Sequence, residues 1–110
     1  RLIHMITVTI HRSNDSYAGF KVVGHAGYAE EGYDIICAAV SVLVVNAVNS
    51  IETFTDDKFA AREDHGIVEL ILEGSVSDKT TLLLDSMILG LRDIQTQYGN
   101  EFIRLKIEEV

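Results

Sequence analysis

Ile35-Ile36-Cys37-Ala38-Ala39-Val40-Ser41-Val42-Leu43-Val44-Val45-Asn46-Ala47-Val48-Asn49-Ser50-Ile51 is the longest stretch of this sequence without a charged residue. At 17 residues it falls near the lower limit for a membrane span. Ser41, Asn46, Asn49 and Ser50 interrupt it, so a buried helix is the better reading, and no membrane association is expected. Asp34 stands just before it as an N-cap, which predicts a helix over 35–53. That helix is apolar nearly all round, and a single sheet covers only one of its faces. A second helix or a second copy of the chain has to cover the rest.

The flanking segments change from helical to strand periodicity. Residues 5–11 alternate, with Ile6, Val8 and Ile10 on one face and threonines with His11 on the other, as in a half-buried strand. Ser13-Asn14-Asp15-Ser16 is a turn cluster, and 20–25 reads as the returning strand of an antiparallel hairpin. Residues 26–33, with Gly27, Gly32, Glu30 and Glu31, show little periodicity and are expected to form a mobile loop. Beyond the helix, 58–63 and 67–73 are strands around an Asp64-His65-Gly66 turn. In the second of them Val68, Leu70 and Leu72 oppose Glu69, Ile71 and Glu73. A second helix runs over 78–98, striped by Leu84, Met87, Ile88, Leu91, Ile94 and Tyr98 and capped by Gly99. The last strand, 101–108, points Ile103, Leu105 and Ile107 inward. The order ββαββαβ predicts an α+β two-layer sandwich, with two helices on one side of a mixed sheet.

With 110 residues and 47% apolar content, the chain can build one domain, read here as 5–110. Arg1-Leu2-Ile3-His4 precede Met5 and are expected to be a cloning remnant. The net charge of −8 argues against direct nucleic-acid binding and suits either plain solubility or a basic partner. A single cysteine excludes an internal disulfide and fits a reducing compartment. No signal-like opening is present, so a cytoplasmic location is expected.

Cys37 has two readings. A free cysteine packs well as a small hydrophobe. Here, with Asp34 as N-cap, it would be the third residue of its helix, where unpaired N–H groups and the helix dipole favour a thiolate. His25 closes the strand before the loop that leads to this helix, and a strand–loop–helix unit can bring an imidazole to the sulfur. Gly24 beside it permits close approach of another backbone or a substrate. His65 sits in a turn, His11 on a polar strand face and His4 in the presumed remnant, so no metal-ligand spacing with Cys37 is apparent. Neither a phosphate-cradling glycine loop nor a GxSxG elbow occurs, and no cofactor is expected.

Gly24-His25-Ala26-Gly27-Tyr28, followed by Asp34-Ile35-Ile36-Cys37-Ala38-Ala39-Val40-Ser41, resembles the signature of the Prp ribosomal-processing cysteine proteases. Histidine segment, acidic glycine-bearing loop and cysteine segment occur in the same order. Ile36 is one mild departure, standing where valine is expected. The resemblance implies a homodimer that removes the N-terminal extension of a large-subunit ribosomal protein, with Cys37 as nucleophile and His25 as base. It also implies apolar and aromatic residues before the scissile bond.

Several neighbours keep alternative roles. Asp34 caps the helix, orients His25, or does both. Ser41, one turn past Cys37, either approaches the site or back-bonds within the helix. Glu30 and Glu31 are either a solvated loop face or an attractant for a basic peptide. Gly27, Tyr28, Gly32 and Tyr33 complete a loop that would open for substrate and close over it. The alternative function is a non-enzymatic, dimeric acidic module that docks a basic ribosomal protein.

Overall fold

The computed structural model describes residues 5–24, 33–64 and 66–110, with Tyr33 and Asp34 described in backbone only. Strand β1 (Ile6–Ser13) buries Ile6, Val8 and Ile10 almost completely, as its alternation requires. It turns back through Asn14 and Asp15, both at positive φ (51° and 64°), a combination that suits a two-residue hairpin turn. The hairpin pairs Ser13 with Ser16, so strand β2 (Ser16–Val23) begins four residues before its expected start at Phe20. A register shift between His11 and Arg12 explains the difference, because this bulge breaks the alternation around Tyr17, Ala18 and Gly19.

Helix α1 (Tyr33–Phe54) starts two residues earlier than expected. Asp34 therefore lies inside the first turn rather than before it, and Tyr33 opens the helix rather than closing the loop. Strands β3 (Lys58–Asp64) and β4 (Ile67–Glu73) form the second hairpin. Helix α2 (Asp78–Tyr98) follows, and strand β5 (Ile103–Glu109) ends the fold. The sheet order is β3-β4-β2-β1-β5, with β1 and β5 parallel and the other pairs antiparallel. This is the expected mixed sheet and two-helix α+β architecture.

One face of α1 supplies Ile36, Val40, Val44, Ala47 and Ile51 to the core over Phe20, Val22 and Leu70. Although α1 is long and apolar enough to cross a bilayer, that face is packed inside the domain. Along its flank α2 covers it closely: a Cβ on Gly90 would lie 2.9 Å from the Leu43 methyls. Ser77 caps α2 by accepting from the Thr80 N–H at 3.3 Å, and Gly99 closes it at φ 90°. The expected stripe on α2 holds for Leu84, Met87, Leu91 and Ile94, whereas Tyr98 at the last turn is exposed. On β5, Ile103 is buried but Ile107 is 51% exposed, because this edge strand runs out from under the helix layer.

Candidate active site

Cys37 is the fifth residue of α1, not the third, because the helix begins at Tyr33. Its backbone N–H is then within reach of the Tyr33 carbonyl, and its sulfur sits just past the turn where the dipole acts most strongly. The side chain is half-buried and packs against the core between the fully buried Ile36 and Val40. Ser41 lies one helical turn further along the same flank, also half-buried. Both sulfur and hydroxyl are thus held by a helix whose adjoining face is locked in the core.

The strand that leads toward the site is equally fixed. Gly24 has φ 96°, and a Cβ there would fall 2.7 Å from the Met5 carbonyl oxygen. The close approach expected at Gly24 is therefore made by the backbone at the start of β1. The Gly24 N–H also donates to the Gly66 carbonyl at 3.0 Å, tying the end of β2 to the β3–β4 turn. His25 follows immediately, and it lies outside the described residues together with Gly27, Tyr28, Glu30, Glu31, Gly32 and His65. The side chains of Tyr33 and Asp34 lie outside them as well.

At the opposite end of α1, Asp57 links the helix layer to the sheet. Its carboxylate accepts from the Ser77 N–H at 2.9 Å and the Ser77 hydroxyl at 2.8 Å. The Thr80 hydroxyl is fully buried without a partner in hydrogen-bond geometry, yet its dipole lies close enough to favour the charged carboxyl. With the Ser77 donors it holds Asp57 below the usual carboxylate range. His11 faces Glu108 at 4.0 Å on the outer side of the sheet, away from the helices. Among the described residues no group of three or more histidine, cysteine or acidic side chains is arranged to hold a metal.

Residues 5–103 match the family described as "Cysteine protease Prp". The chain belongs to the Prp cysteine protease family. It is 34% identical over 101 residues to the ribosomal processing cysteine protease Prp of Bacillus subtilis, covering 86% of this chain and 90% of that one. Among solved structures it resembles the essential ribosomal processing protease Prp of Staphylococcus aureus in complex with a substrate peptide. That match has TM-score 0.87 and 30% identity, covering 94% of this chain and 100% of the other. A second structure of the S. aureus protein, with a covalently linked product peptide, matches at TM-score 0.83 and 31% identity over the same shares. Membership of this family makes the chain a cysteine-type hydrolase, and the non-enzymatic alternative falls away.

Proposed function

We propose that this chain is an endopeptidase that removes the N-terminal extension of a large-subunit ribosomal protein, with Cys37 as nucleophile and His25 as general base. One observation carries the nucleophile: the chain belongs to a cysteine protease family and contains a single cysteine. The substrate class rests on the B. subtilis and S. aureus relatives, which are named for ribosomal processing.

In this reading His25 takes the Cys37 proton, and the thiolate attacks the scissile carbonyl. The carbonyl oxygen becomes an oxyanion that backbone N–H groups at the start of α1 stabilise. Collapse of the intermediate breaks the C–N bond, and the protonated His25 gives its proton to the leaving amine. Water, deprotonated by His25, then releases the acyl group from the sulfur. Glu30 and Glu31, in the segment between β2 and α1, draw in a basic sequence.

The active species is proposed to be a cytoplasmic homodimer. Ile35 and Val42 on α1 are 64% and 68% exposed, and Leu82 and Leu89 on α2 are 68% and 63% exposed. These side chains form an apolar outer face on the helix layer that a second copy would cover.

The deciding experiment is cleavage of the extended ribosomal protein by the purified chain. Cys37→Ala is expected to abolish cleavage while the melting curve and dimer mass stay unchanged. His25→Ala should lower the rate at saturating substrate by roughly 10²–10⁴. Cleavage retained in Cys37→Ala would remove the nucleophile assignment, and an undiminished rate in His25→Ala would remove the base.

A further inference from the structure

Cys37, Ser41, Val45 and Val48 follow one another along a single flank of α1, at spacings of four, four and three residues. Val45 and Val48 on this flank face β3, one of the two edge strands of the sheet. On the helix side of β3, Ala61 and Glu63 are exposed, although their cross-strand partners Leu70 and Val68 are buried. The helix layer stops short of the edge and leaves a hollow of about 230 Å³ between Val45, Val48 and Asn49 on one wall and Ala61 and Glu63 on the other. This trough begins two helical turns beyond the cysteine, on the same flank.

We propose that this trough seats an extended segment of the peptide substrate that flanks the scissile bond, a subsite that rests on the protease reading above. The segment pairs with the open edge of β3, sets apolar side chains between Val45, Val48 and Ala61, and places a lysine or arginine against Glu63. Four observations support this occupant. The trough is continuous with the flank that carries the nucleophile. Cys37 and Asn49 are twelve residues apart on α1, about 18 Å along its axis, which matches some five or six residues of extended chain. An edge strand offers unused main-chain donors and acceptors, the feature that strand-adding peptides exploit. Glu63 makes no ion pair among the described residues, whereas Glu69 on the outer face is neutralised by Arg62 at 3.1 Å. A concave trough walled by a strand edge suits an extended chain better than a second copy, for which the convex face at Val42, Leu82 and Leu89 is available.

The test uses a fluorescent peptide that spans the ribosomal protein's extension and its first mature residues, titrated against full-length Cys37→Ala so that nothing is consumed. Adding Ala61→Arg, which fills the trough, should weaken binding by about tenfold. Glu63→Lys should weaken it at low ionic strength, with the loss shrinking as salt rises. Should Ala61→Arg fail to fold, Val45→Lys obstructs the trough from the helix wall, where this residue is 43% exposed. Equal affinity in these variants, no binding to Cys37→Ala itself, or a changed dimer dissociation constant with unchanged peptide affinity would each overturn the proposal. Trough-dependent binding by a wild-type chain that never cleaves would keep the subsite and remove the protease reading. Cleavage with trough-independent binding would do the reverse.

Discussion

Gly24 donates its backbone N–H to the carbonyl of Gly66 at 3.0 Å, which pins the last described residue before His25 to the β3–β4 turn. From the other side the Met5 carbonyl crowds the same residue, so the end of β2 is clamped between the start of β1 and that turn. The base proposed for catalysis thus leaves the sheet from a fixed point. Pre-set positions of this kind matter because acid–base catalysis tolerates little error in placement.

Gly24→Ala should therefore hurt twice. The residue sits at φ 96°, where an L side chain is strained, and its new Cβ would meet backbone rather than a movable side chain. A stability loss of about 2–3 kcal/mol is expected in urea unfolding. A fall in kcat/KM should remain under conditions where the variant is fully folded, because His25 is displaced. An unchanged midpoint together with full activity would show that the strand end accommodates the methyl group.

Gly19→Ala isolates the structural half of that effect. Gly19 lies in the bulged part of β2 at φ 152°, and its Cβ would overlap the Leu70 carbonyl oxygen of the neighbouring strand. The loss should be larger than at Gly24, about 3 kcal/mol or more, since two paired backbones would have to separate. Far-ultraviolet melting measures it. A variant as stable as the wild type would mean that β2 and β4 can part locally at no cost.

The element order could be read from the sequence because the apolar period changes cleanly between 2 in Met5 to Ile10 and 3.6 in Leu84 to Ile94. The early start of β2 was hidden by the bulge, since Tyr17 and Gly19 break the alternation that identifies a strand. Ile107 looked inward because alternation carries no information about where a helix layer ends. For the site, Cys37 stood out through its place near a helix start and the surrounding family signature. The trough was not legible at all, because it exists only where β3 is an edge strand, and the order β3-β4-β2-β1-β5 depends on long-range pairing. The link from Asp57 to Ser77 was missed for the same reason: the two are twenty residues apart.

Asp57→Ala should loosen the start of α2. It removes both acceptor contacts to Ser77, the residue that caps the helix, at a cost of about 1–2 kcal/mol near neutral pH. The folded-state pKa of Asp57 lies below its ordinary value of 3.8. Its contribution is therefore present above that value and is lost as pH falls through the folded pKa. Chemical unfolding at a series of pH values should show wild type and variant converging only below about pH 4. A gap that persists into strong acid would mean that the carboxylate charge does not matter.

Tyr17→Phe tests the tie between the first hairpin and α2. The Tyr17 hydroxyl donates to Asp85, and the ring lies 4.6 Å from the Arg12 guanidinium. Burial, reinforced by the Asp85 carboxylate, pushes the Tyr17 pKa up to about 12, against a smaller opposing effect of Arg12. A group whose pKa rises on folding stabilises the fold fully below its unfolded value, near 10, and this stabilisation disappears as pH climbs toward 12. The phenylalanine keeps the ring and leaves Asp85 exposed to water, so no buried acceptor is orphaned. The expected cost near pH 8 is about 1 kcal/mol, the net value of one hydrogen bond. Between pH 10 and 12 the gap between wild type and Tyr17→Phe should close, because only the wild type loses this contribution. A gap that stays constant over that interval would show that the hydroxyl does not carry it, and a gap that widens would reverse the sign of the argument.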